Sequence, residues 1–472
     1  MTAQQSAWPD GLLLAYYGDD FTGSTDAMEA MTAAGVPTVL FLEPPTPAML
    51  RRFPEVRCIG LAGSSRGRNP AWMRAELPAA FASLAALGAP ILHYKVCSTF
   101  DSSEETGSIG CAIDLGVKHM PGRWSPMIVG APRLKRFQIF GNLFAAVDGV
   151  GYRLDRHPTM AHHPVTPMAE SDLRLHLGKQ TQRRIELIDM LALQQDNATT
   201  QLAAFSGNDK TDVPVVMIDV LDDATLLAAG RLLWEQRGDG VFSASSSGLQ
   251  YALAAYWRSL GLLPQQAALP TAESVAAIAV VSGSCSPVTA AQIGWARANG
   301  FHTERLNLAA ALDPITRDIE IGRVVAIAAT AIRRGTSAVV YSAEGPDDAS
   351  VINFDAIAAE SKHSRADAAR SIGTALADIM RRLLNQTDLQ RVVVAGGDSS
   401  GEVASALGIT ALSVIAGLAP GAPLCRVWSS YPQRDGLQIV LKGGQIGGDA
   451  FFGDVLGDSG QRAMPAIDKV SG

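Results

Sequence analysis

The sequence is poor in charge and has no excess of basic residues. Charged residues make up 18% of its 472 residues, and 39 lysines and arginines are outnumbered by 46 aspartates and glutamates, for a net charge of −7. Nucleic acids and anionic membrane surfaces are bound by basic patches, whose charge attracts phosphate groups. The charge balance therefore argues against both kinds of partner.

Long apolar runs are also missing, although 47% of the residues are hydrophobic. No run approaches the roughly 20 residues that span a bilayer. The first residues, MTAQQSAWPDG, contain neither a basic segment nor an apolar signal core, so we predict a cytoplasmic protein. The composition is typical of a well-packed globular protein, and the length predicts two or three domains.

Cysteine is sparse, and its pattern indicates no disulfide or metal cross-link. The five cysteines are scattered and form no CxxC pair, so neither a disulfide framework nor a structural zinc site is predicted. Cys97 and Cys285 lie in polar loops. We interpret both as small buried residues rather than nucleophiles, because reactivity requires a lowered thiol pKa.

The first strong pattern that is present runs from Leu12 to Ala34. An apolar segment predicts a buried strand, the acidic turn GDDFTG follows, and a helix is expected to begin near Ser24 or Thr25, capped by either hydroxyl. This order presents Asp19 and Asp20 at the carboxyl edge of an open α/β sheet, where ligands bind. A solvated turn with a capping role is an equal alternative from the local pattern alone.

A second polar loop, from Lys95 to Gly110, follows another predicted strand, Ile91–Val96. Strand and helix signals alternate through this half of the chain, which predicts βαβ units and a mostly parallel sheet. The loop would therefore share a sheet edge with Asp20. Its cation, hydroxyls and carboxylate suit a hydroxylated, anionic small molecule, with an ordinary hydrophilic loop as the alternative.

Basic residues downstream offer further contacts for an anion. Arg133, Arg136, Arg156 and His157 are the candidates, and which arginine pairs with a substrate carboxylate stays open. The histidines in this region fit no standard metal-ligand spacing, so we favour anion contacts over a transition-metal site. Thr166, followed by proline, is expected to cap a helix leading to Leu177.

The segment GLLPQQAALPT has two prolines and no periodic partner, so we place the domain boundary there. The predicted domains are residues 1–262 and 274–472, joined by a linker at 263–273. Beyond it, three loops rich in glycine or serine each follow a predicted strand: SGSCSP, GGDSSG and KGGQIGG. GGDSSG is expected to open a helix at Glu402–Leu407.

Loops of this kind bind phosphate, because glycine lets backbone amides approach closely and lysine adds charge. The three together predict a polyphosphate site. Neither the P-loop pattern nor the dinucleotide-binding fingerprint occurs, so neither of those standard folds is expected.

Read in order, the motifs GDDFTG, KVCSTFDSS…GSIG, HPVTPMAESDL, GSCSPVTAAQ, GGDSSG and LKGGQIGG resemble those of the four-carbon acid sugar kinases, over about Leu12 to Phe452. The sequence departs from the family pattern at Gly18, where alanine is usual, and within the last two loops. The resemblance implies two α/β domains, each a mostly parallel sheet flanked by helices, with the active site in the interdomain cleft. It also implies phosphorylation by ATP and Mg²⁺ of a tetronate such as threonate, erythronate or an oxo derivative.

Carried over residue by residue, the resemblance implies that Asp20 accepts the proton of the attacking hydroxyl or holds it in line. We further expect Lys95 or Lys442 to offset the transferring charge. The predicted substrate contacts are Asp19, Ser98, Thr99, Asp101, Arg133, Arg136, Arg156 and His157. The predicted nucleotide contacts are Ser282, Ser284, Gly396, Gly397, Asp398, Ser399, Gly443, Gly444 and Gly447, with Asp398 near the metal.

Asp19 and Asp20 are not expected to act alike, because adjacent residues in an extended segment point in opposite directions. We assign Asp19 to the loop or the helix terminus. Two rival functions stay open: a dehydrogenase acting on the same substrates, against which the missing fingerprint counts, and a non-catalytic sensor. A homodimer is one alternative for the assembly state.

Overall fold

The computed structural model describes residues 9–147, 149–163, 165–206, 212–265 and 269–457, apart from the side chain of Asp398. The chain divides into two compact units, Met1–Leu269 with Thr410–Val414, and Pro270–Ile409 with Ile415–Gly472. The first unit thus includes one short segment from far along the chain, Thr410–Val414. The predicted first domain, residues 1–262, does not include this segment. Residues 266–268 of the predicted linker lie outside the described residues.

The first unit alternates strands and helices. Its strands are β1 Leu14–Gly18, β2 Thr38–Phe41, β3 Cys58–Ala62, β4 Ile91–Lys95, β5 Ser125–Met127, β6 Arg136–Ile139, β7 Asn142–Val147, β8 Val150–Arg153, β9 Ile185–Ile188, β10 Val215–Ile218 and β11 Val241–Ser245. Its helices are α1 Phe21–Ala34, α2 Pro47–Leu50, α3 Pro70–Ala85, α4 Ile109–His119, α5 Leu173–Gly178, α6 Met190–Gln194, α7 Ala198–Phe205, α8 Asp223–Glu235 and α9 Gly248–Ser259.

The main sheet of this unit has the strand order β11-β4-β1-β3-β2, and these neighbours are all parallel. Ala411 and Leu412 add an antiparallel partner to β2. Two small sheets, a parallel β5-β10-β9 and an antiparallel β6-β7-β8, complete the unit. Because parallel strands end at one edge, the loops after β3, β1, β4 and β11 lie side by side.

The buried strand predicted before the acidic turn is confirmed as β1, which is buried along its whole length. A central parallel strand is covered on both faces, which explains its continuous apolar run. Tyr17 of β1 stacks on Tyr94 of β4, with ring centroids 5.9 Å apart. The strand that carries the acidic turn is therefore held rigidly by the core.

The helix after the acidic turn begins earlier than predicted. α1 starts at Phe21, and its N-cap is Asp20, whose Oδ1 accepts a hydrogen bond from the Gly23 amide at 2.7 Å. The expected caps, Ser24 and Thr25, are wrong, because their hydroxyls lie within the helix and donate back to carbonyls of the preceding turn. A carboxylate is among the preferred N-caps, so the helix can start directly after Asp20.

The cap predicted at Thr166 is also wrong. The helix in this region, α5, begins at Leu173 and is capped by Asp172, whose carboxylate accepts from the Arg174 amide at 3.0 Å. Thr166 instead bonds to His163 through its amide and hydroxyl.

The second unit is again α/β. Its strands are β12 Ala279–Ser282, β13 His302–Arg305, β14 Ala338–Tyr341, β15 Arg391–Ala395, β17 Ala422–Ser429 and β18 Gln438–Lys442, together with the two ends of β16 Ile409–Ala419, whose middle part, Thr410–Val414, belongs to the first unit. Its helices are α10 Pro287–Ala298, α11 Leu308–Leu312, α12 Arg317–Arg333, α13 Ala349–Ile352, α14 Phe354–Glu360, α15 Arg365–Gln386, α16 Gly397–Ala406 and α17 Phe451–Leu456. The strand order is β16-β17-β18-β15-β12-β14-β13, parallel from β18 to β13.

Two loop predictions need correction in this unit. GGDSSG does not precede its helix but forms the first turn, since α16 begins at Gly397. Gly396 has φ 126°, a backbone conformation that glycine adopts without strain, so the chain turns from β15 into the helix within one residue. Ser282 and Lys442, predicted as loop residues, are the buried last residues of β12 and β18.

Helix α15 has 22 residues. Its buried positions Ile372, Leu376, Ile379 and Leu383 recur at helical spacing and form one apolar stripe. No helix in the described ranges combines the length and the apolar character needed to cross a membrane.

Candidate active site

The acidic turn after β1 is held by an arginine that sequence analysis missed. Arg66 lies in a short 3₁₀ turn, Ser65–Gly67, in the loop that follows β3. Its Nη2 and Nε donate to the two oxygens of Asp19 at 2.7 and 3.1 Å. Its Nη1 and Nη2 donate to the two oxygens of Asp20 at 2.7 and 2.8 Å. One guanidinium therefore fixes both carboxylates.

The two aspartates differ in exposure and in role. The Asp19 side chain is 4% exposed and that of Asp20 28% exposed. Burial, opposed by the charge of Arg66, raises the pKa of Asp19. Of the two roles predicted for Asp19, in the loop or at the helix terminus, the second is wrong, because Asp20 caps α1. Asp19 is an internal partner of Arg66, and Asp20 keeps part of its carboxylate accessible.

Lys95, the last residue of β4, lies over the same helix terminus. Its Nζ is 3.4 Å from Oδ2 of Asp26 on α1. A Cβ at Gly23 would lie 2.4 Å from Asp20 Oδ1 and 2.9 Å from Lys95 Nζ, so a side chain there would displace one or both groups. The structure thus brings the predicted residues Asp20 and Lys95 together at one point. Arg66 and Asp26 join them.

The polar loop after β4 is ordered by its own hydrogen bonds. The Thr99 hydroxyl donates to Asp101 Oδ1 at 2.7 Å, and Cys97 Sγ lies 2.9 Å from the same hydroxyl. Ser98 is half-buried beside them. Burial and the charge of Asp101 raise the pKa of Cys97 to about 11, which disfavours the thiolate.

The prediction that Cys285 is buried is wrong, because this residue is exposed.

The predicted anion contacts separate into different environments. Arg133 and Arg156 are exposed, and the Arg133 guanidinium lies 5.8 Å from the centre of the Tyr251 ring. Arg136 is half-buried, and its Nη1 donates to the carbonyl of Leu134 at 3.0 Å. His157 is buried, and its Nδ1 accepts from two nearby backbone amides at 3.2 and 3.3 Å.

Arg136 has the most suitable position among these residues. Its Nε is buried and has no hydrogen-bond partner among the described residues. Burial lowers the pKa of Arg136, and Cys97 and Asp101, when ionised, oppose that effect, so the guanidinium lies near the polar loop after β4. A buried donor without a partner favours a ligand at that point.

The glycine and serine loops of the second unit converge at the ends of β12, β15 and β18. A Cβ built on Gly283 would lie 2.2 Å from Ser399 Oγ. One on Gly444 would lie 2.5 Å from Ser284 Oγ. The Gly396 amide donates to the carbonyl of Lys442 at 2.9 Å. The loops are therefore closely packed where they meet, and a side chain at Gly283 or Gly444 would collide with a neighbouring serine.

Lys442 supplies a buried cation beside these loops. It is 0% exposed, and its Nζ donates to the Thr289 hydroxyl at 3.2 Å. Burial lowers its pKa to about 8, and no charge from a described side chain offsets this effect. Closely packed glycine loops and a buried lysine with no acidic partner among the described side chains suit a polyphosphate, so these residues fit a nucleotide.

Two family models match nearly all of the described chain. Residues 14–253 match a sugar-binding N-terminal domain, and residues 279–452 match a nucleotide-binding C-terminal domain. A 3-oxo-isoapionate kinase of Paraburkholderia graminis is 71% identical over 450 residues, which are 95% of each chain. The chain belongs to the four-carbon acid sugar kinase family.

More distant relatives of this kinase agree with that assignment. A 3-oxo-tetronate kinase of Methylobacterium radiotolerans is 30% identical over 453 residues, covering 94% of this chain and 99% of its own. A Salmonella typhimurium LT2 protein of known structure, provisionally named a tRNA synthase, superposes with a TM-score of 0.75 at 25% identity over 93% of this chain and 98% of its own. Family membership identifies an enzyme with a nucleotide substrate, which sets aside the dehydrogenase and sensor alternatives.

Some functional candidates of the kinase lay outside the predictions. Arg66 could have been found, because GSSRGR directly follows the apolar segment CIGLA, which is typical of a buried strand, and so belongs to the ligand-binding edge. Thr289 and Gln292 are buried polar residues of α10 that hold the last glycine loop. Their three-residue spacing on a predicted helix was the available signal. The side chain of Asp398 lies outside the described part of the chain.

Proposed function

We propose that this kinase transfers the γ-phosphoryl group of ATP to a hydroxyl of a short 3-oxo sugar acid of the type represented by 3-oxo-isoapionate. The observation that carries the proposal is the 71% identity to a 3-oxo-isoapionate kinase over 95% of both chains. Several 3-oxo-tetronate kinases at 27 to 30% identity support the same class of oxidised acid. A 3-oxo acid is therefore favoured over threonate and erythronate.

The acid binds at the loops of the first unit, with Arg136 as the partner of its carboxylate. The buried Nε without a partner supports this choice among the three candidate arginines. A planar guanidinium matches a carboxylate through two parallel hydrogen bonds. Ser98, Thr99 and Asp101 line the neighbouring loop and suit the hydroxyl and carbonyl groups of the acid.

Asp20 orients the attacking hydroxyl. Its carboxylate already accepts from the Gly23 amide and twice from Arg66, which fixes the direction of its remaining lone pairs. Phosphoryl transfer depends more on in-line positioning and charge neutralisation than on a strong base, so a fixed acceptor is sufficient. Lys95, held near Asp26 and over the same helix terminus, reduces the charge that develops on the transferred group.

The nucleotide binds at the converging loops of the second unit, where Gly283, Gly396, Gly444 and Lys442 surround its phosphates. Mg²⁺ would supply charge neutralisation at the phosphates. The described residues contain no group of three or more histidine, cysteine or acidic side chains that could hold a metal. Mg²⁺ commonly binds through substrate phosphates and one or two carboxylates, so we assign it to the nucleotide, with Asp398 as the predicted protein ligand.

A substrate panel tests the proposal. The full-length enzyme is given MgATP with 3-oxo-isoapionate, 3-oxo-tetronate, threonate and erythronate, and ADP release is followed beside ³¹P NMR of the product. We expect the highest kcat/KM with a 3-oxo acid and a phosphate ester as the product. A higher kcat/KM with threonate or erythronate would refute the 3-oxo assignment.

A further inference from the structure

We propose that Thr289 is a positioning residue that sets the nucleotide affinity of this kinase, because its one hydroxyl joins Lys442 to the glycine loop. The inference rests on the proposed nucleotide site in the second unit. Thr289 is the third residue of α10, and it belongs to none of the three phosphate-binding loops.

The hydrogen-bond directions at Thr289 follow from the chemistry of its partners. Lys442 Nζ lies 3.2 Å from the Thr289 hydroxyl oxygen, which lies 2.8 Å from the carbonyl oxygen of Gly444. A lysine ammonium can only donate and a carbonyl can only accept. The hydroxyl therefore accepts from Lys442 and gives its single proton to Gly444, so both contacts use one oxygen atom.

This use of a helical threonine differs from the ordinary one. A threonine hydroxyl in a helix commonly bonds back to a carbonyl of the preceding turn, as Thr330 does with Ala326 at 2.7 Å. The Thr289 hydroxyl instead reaches a carbonyl 155 residues away. Thr289 is 0% exposed and branched at Cβ, so burial and a restricted χ1 hold the hydroxyl in place.

Helix α10 holds the KGGQIGG loop at both ends, through Thr289 at Gly444 and through Gln292 at the far end. Gln292 Nε2 donates to the carbonyls of Ile446, Gly447 and Gly448 at 3.0 to 3.2 Å. At its Gly444 end the KGGQIGG loop packs closely on the loop before α10, since a Cβ at Gly444 would lie 2.5 Å from Ser284 Oγ. Without the Thr289 hydroxyl, the Gly444 end of the KGGQIGG loop loses its hydrogen bond to α10, and the Lys442 ammonium loses its acceptor. Lys442 and the loop are then no longer held together by one group.

The test compares Thr289→Val, which keeps the shape and removes the hydroxyl, with Thr289→Ser, which restores it. We expect Thr289→Val to raise KM for ATP about tenfold to hundredfold, the range for losing a hydrogen bond to a charged group. KM for the sugar acid at saturating ATP should stay within about twofold of wild type, and Thr289→Ser should recover most of the ATP affinity. Thr330→Val, which removes an exposed hydroxyl within α12, is the matched control.

Lys442→Met separates failure of this inference from failure of the nucleotide site. If Lys442→Met weakens ATP binding and Thr289→Val does not, the role of Thr289 is refuted. If neither substitution changes ATP affinity, the proposed site itself is wrong. Equal increases in both KM values, with no recovery by Thr289→Ser, would also overturn the inference. Should Thr289→Val not fold, Thr289→Ala is titrated with ADP by calorimetry, and wild-type affinity there refutes the proposal.

Discussion

Arg66 donates two hydrogen bonds to Asp20, from Nη1 to Oδ2 at 2.7 Å and from Nη2 to Oδ1 at 2.8 Å. The two residues follow neighbouring parallel strands, β3 and β1. The proposed acceptor of the substrate hydroxyl therefore has its orientation set by a residue 46 positions away in the sequence.

Removing the guanidinium of Arg66 should impair both rate and stability. In Arg66→Gln, Asp20 loses its orientation, and we expect kcat to fall roughly tenfold to hundredfold, as for lost charge-assisted hydrogen bonds. Buried Asp19 would lose its partner, at a cost of about 3–5 kcal/mol. Kinetics and thermal melting measure the two effects. Arg68→Gln, on an exposed arginine beside Trp72, is the control and should change neither.

Asp19 and Asp20 should respond differently to conversion to asparagine. Asparagine is as good an N-cap as aspartate, so Asp20→Asn should keep α1 and lower turnover roughly 10²–10⁴-fold. Asp19→Asn weakens the internal pair with Arg66 and should lower the melting temperature more than the rate. Steady-state kinetics beside thermal melts distinguish them, and near-normal turnover of Asp20→Asn would end its proposed role.

Substrate affinity should depend on Arg136. Arg136→Lys keeps the charge but loses the planar pair of donors, so KM for the sugar acid should rise about tenfold or more while KM for ATP changes little. Arg133→Lys is the matched control because Arg133 is exposed. A larger KM effect from Arg133→Lys would transfer the carboxylate contact to that residue.

Close packing predicts the effect of alanine at two glycines of α10 and its neighbouring loop. In Gly444→Ala the new Cβ would meet Ser284 Oγ at 2.5 Å, so the loop must move, and ATP affinity should fall. In Gly294→Ala nothing lies within 4 Å of the new Cβ, and the helix should gain about 0.5–1 kcal/mol. Calorimetric titration with ADP and a thermal melt measure both. Unchanged ADP affinity in Gly444→Ala would place the phosphates elsewhere.

Nucleotide affinity should fall as pH rises through about 8, the lowered pKa of Lys442. Phosphate favours the charged lysine, so binding near this pH takes up a proton, and affinity declines toward tenfold per pH unit above it. Below about pH 7 the lysine is already charged, and its contribution is constant. Calorimetry in buffers of different ionisation enthalpy detects the proton. Lys442→Arg, which stays charged, should take up none; uptake equal to wild type would assign the proton to another group.

Local sequence patterns determined the elements and the loops that could bind ligands. Apolar runs indicated β1 and β4, and glycine-rich turns indicated the loops after strands that carry candidate binding residues. Both signals are local, because burial and backbone freedom depend on a few adjacent residues. The ordered motifs also indicated the family. Helix starts were less certain, since GDDFTGST offers several residues able to cap, and the contacts of Asp20 decided among them.

Only the tertiary structure decided which side chains meet. Strand order places the loop of β3 beside that of β1, so Arg66 rather than a nearer cation pairs with Asp19 and Asp20. In the same way Thr289 reaches Gly444 because α10 packs beside the end of β18. Such contacts join residues tens to hundreds of positions apart, and the order of strands in a sheet, which sets them, is a property of the whole fold and not of any local pattern.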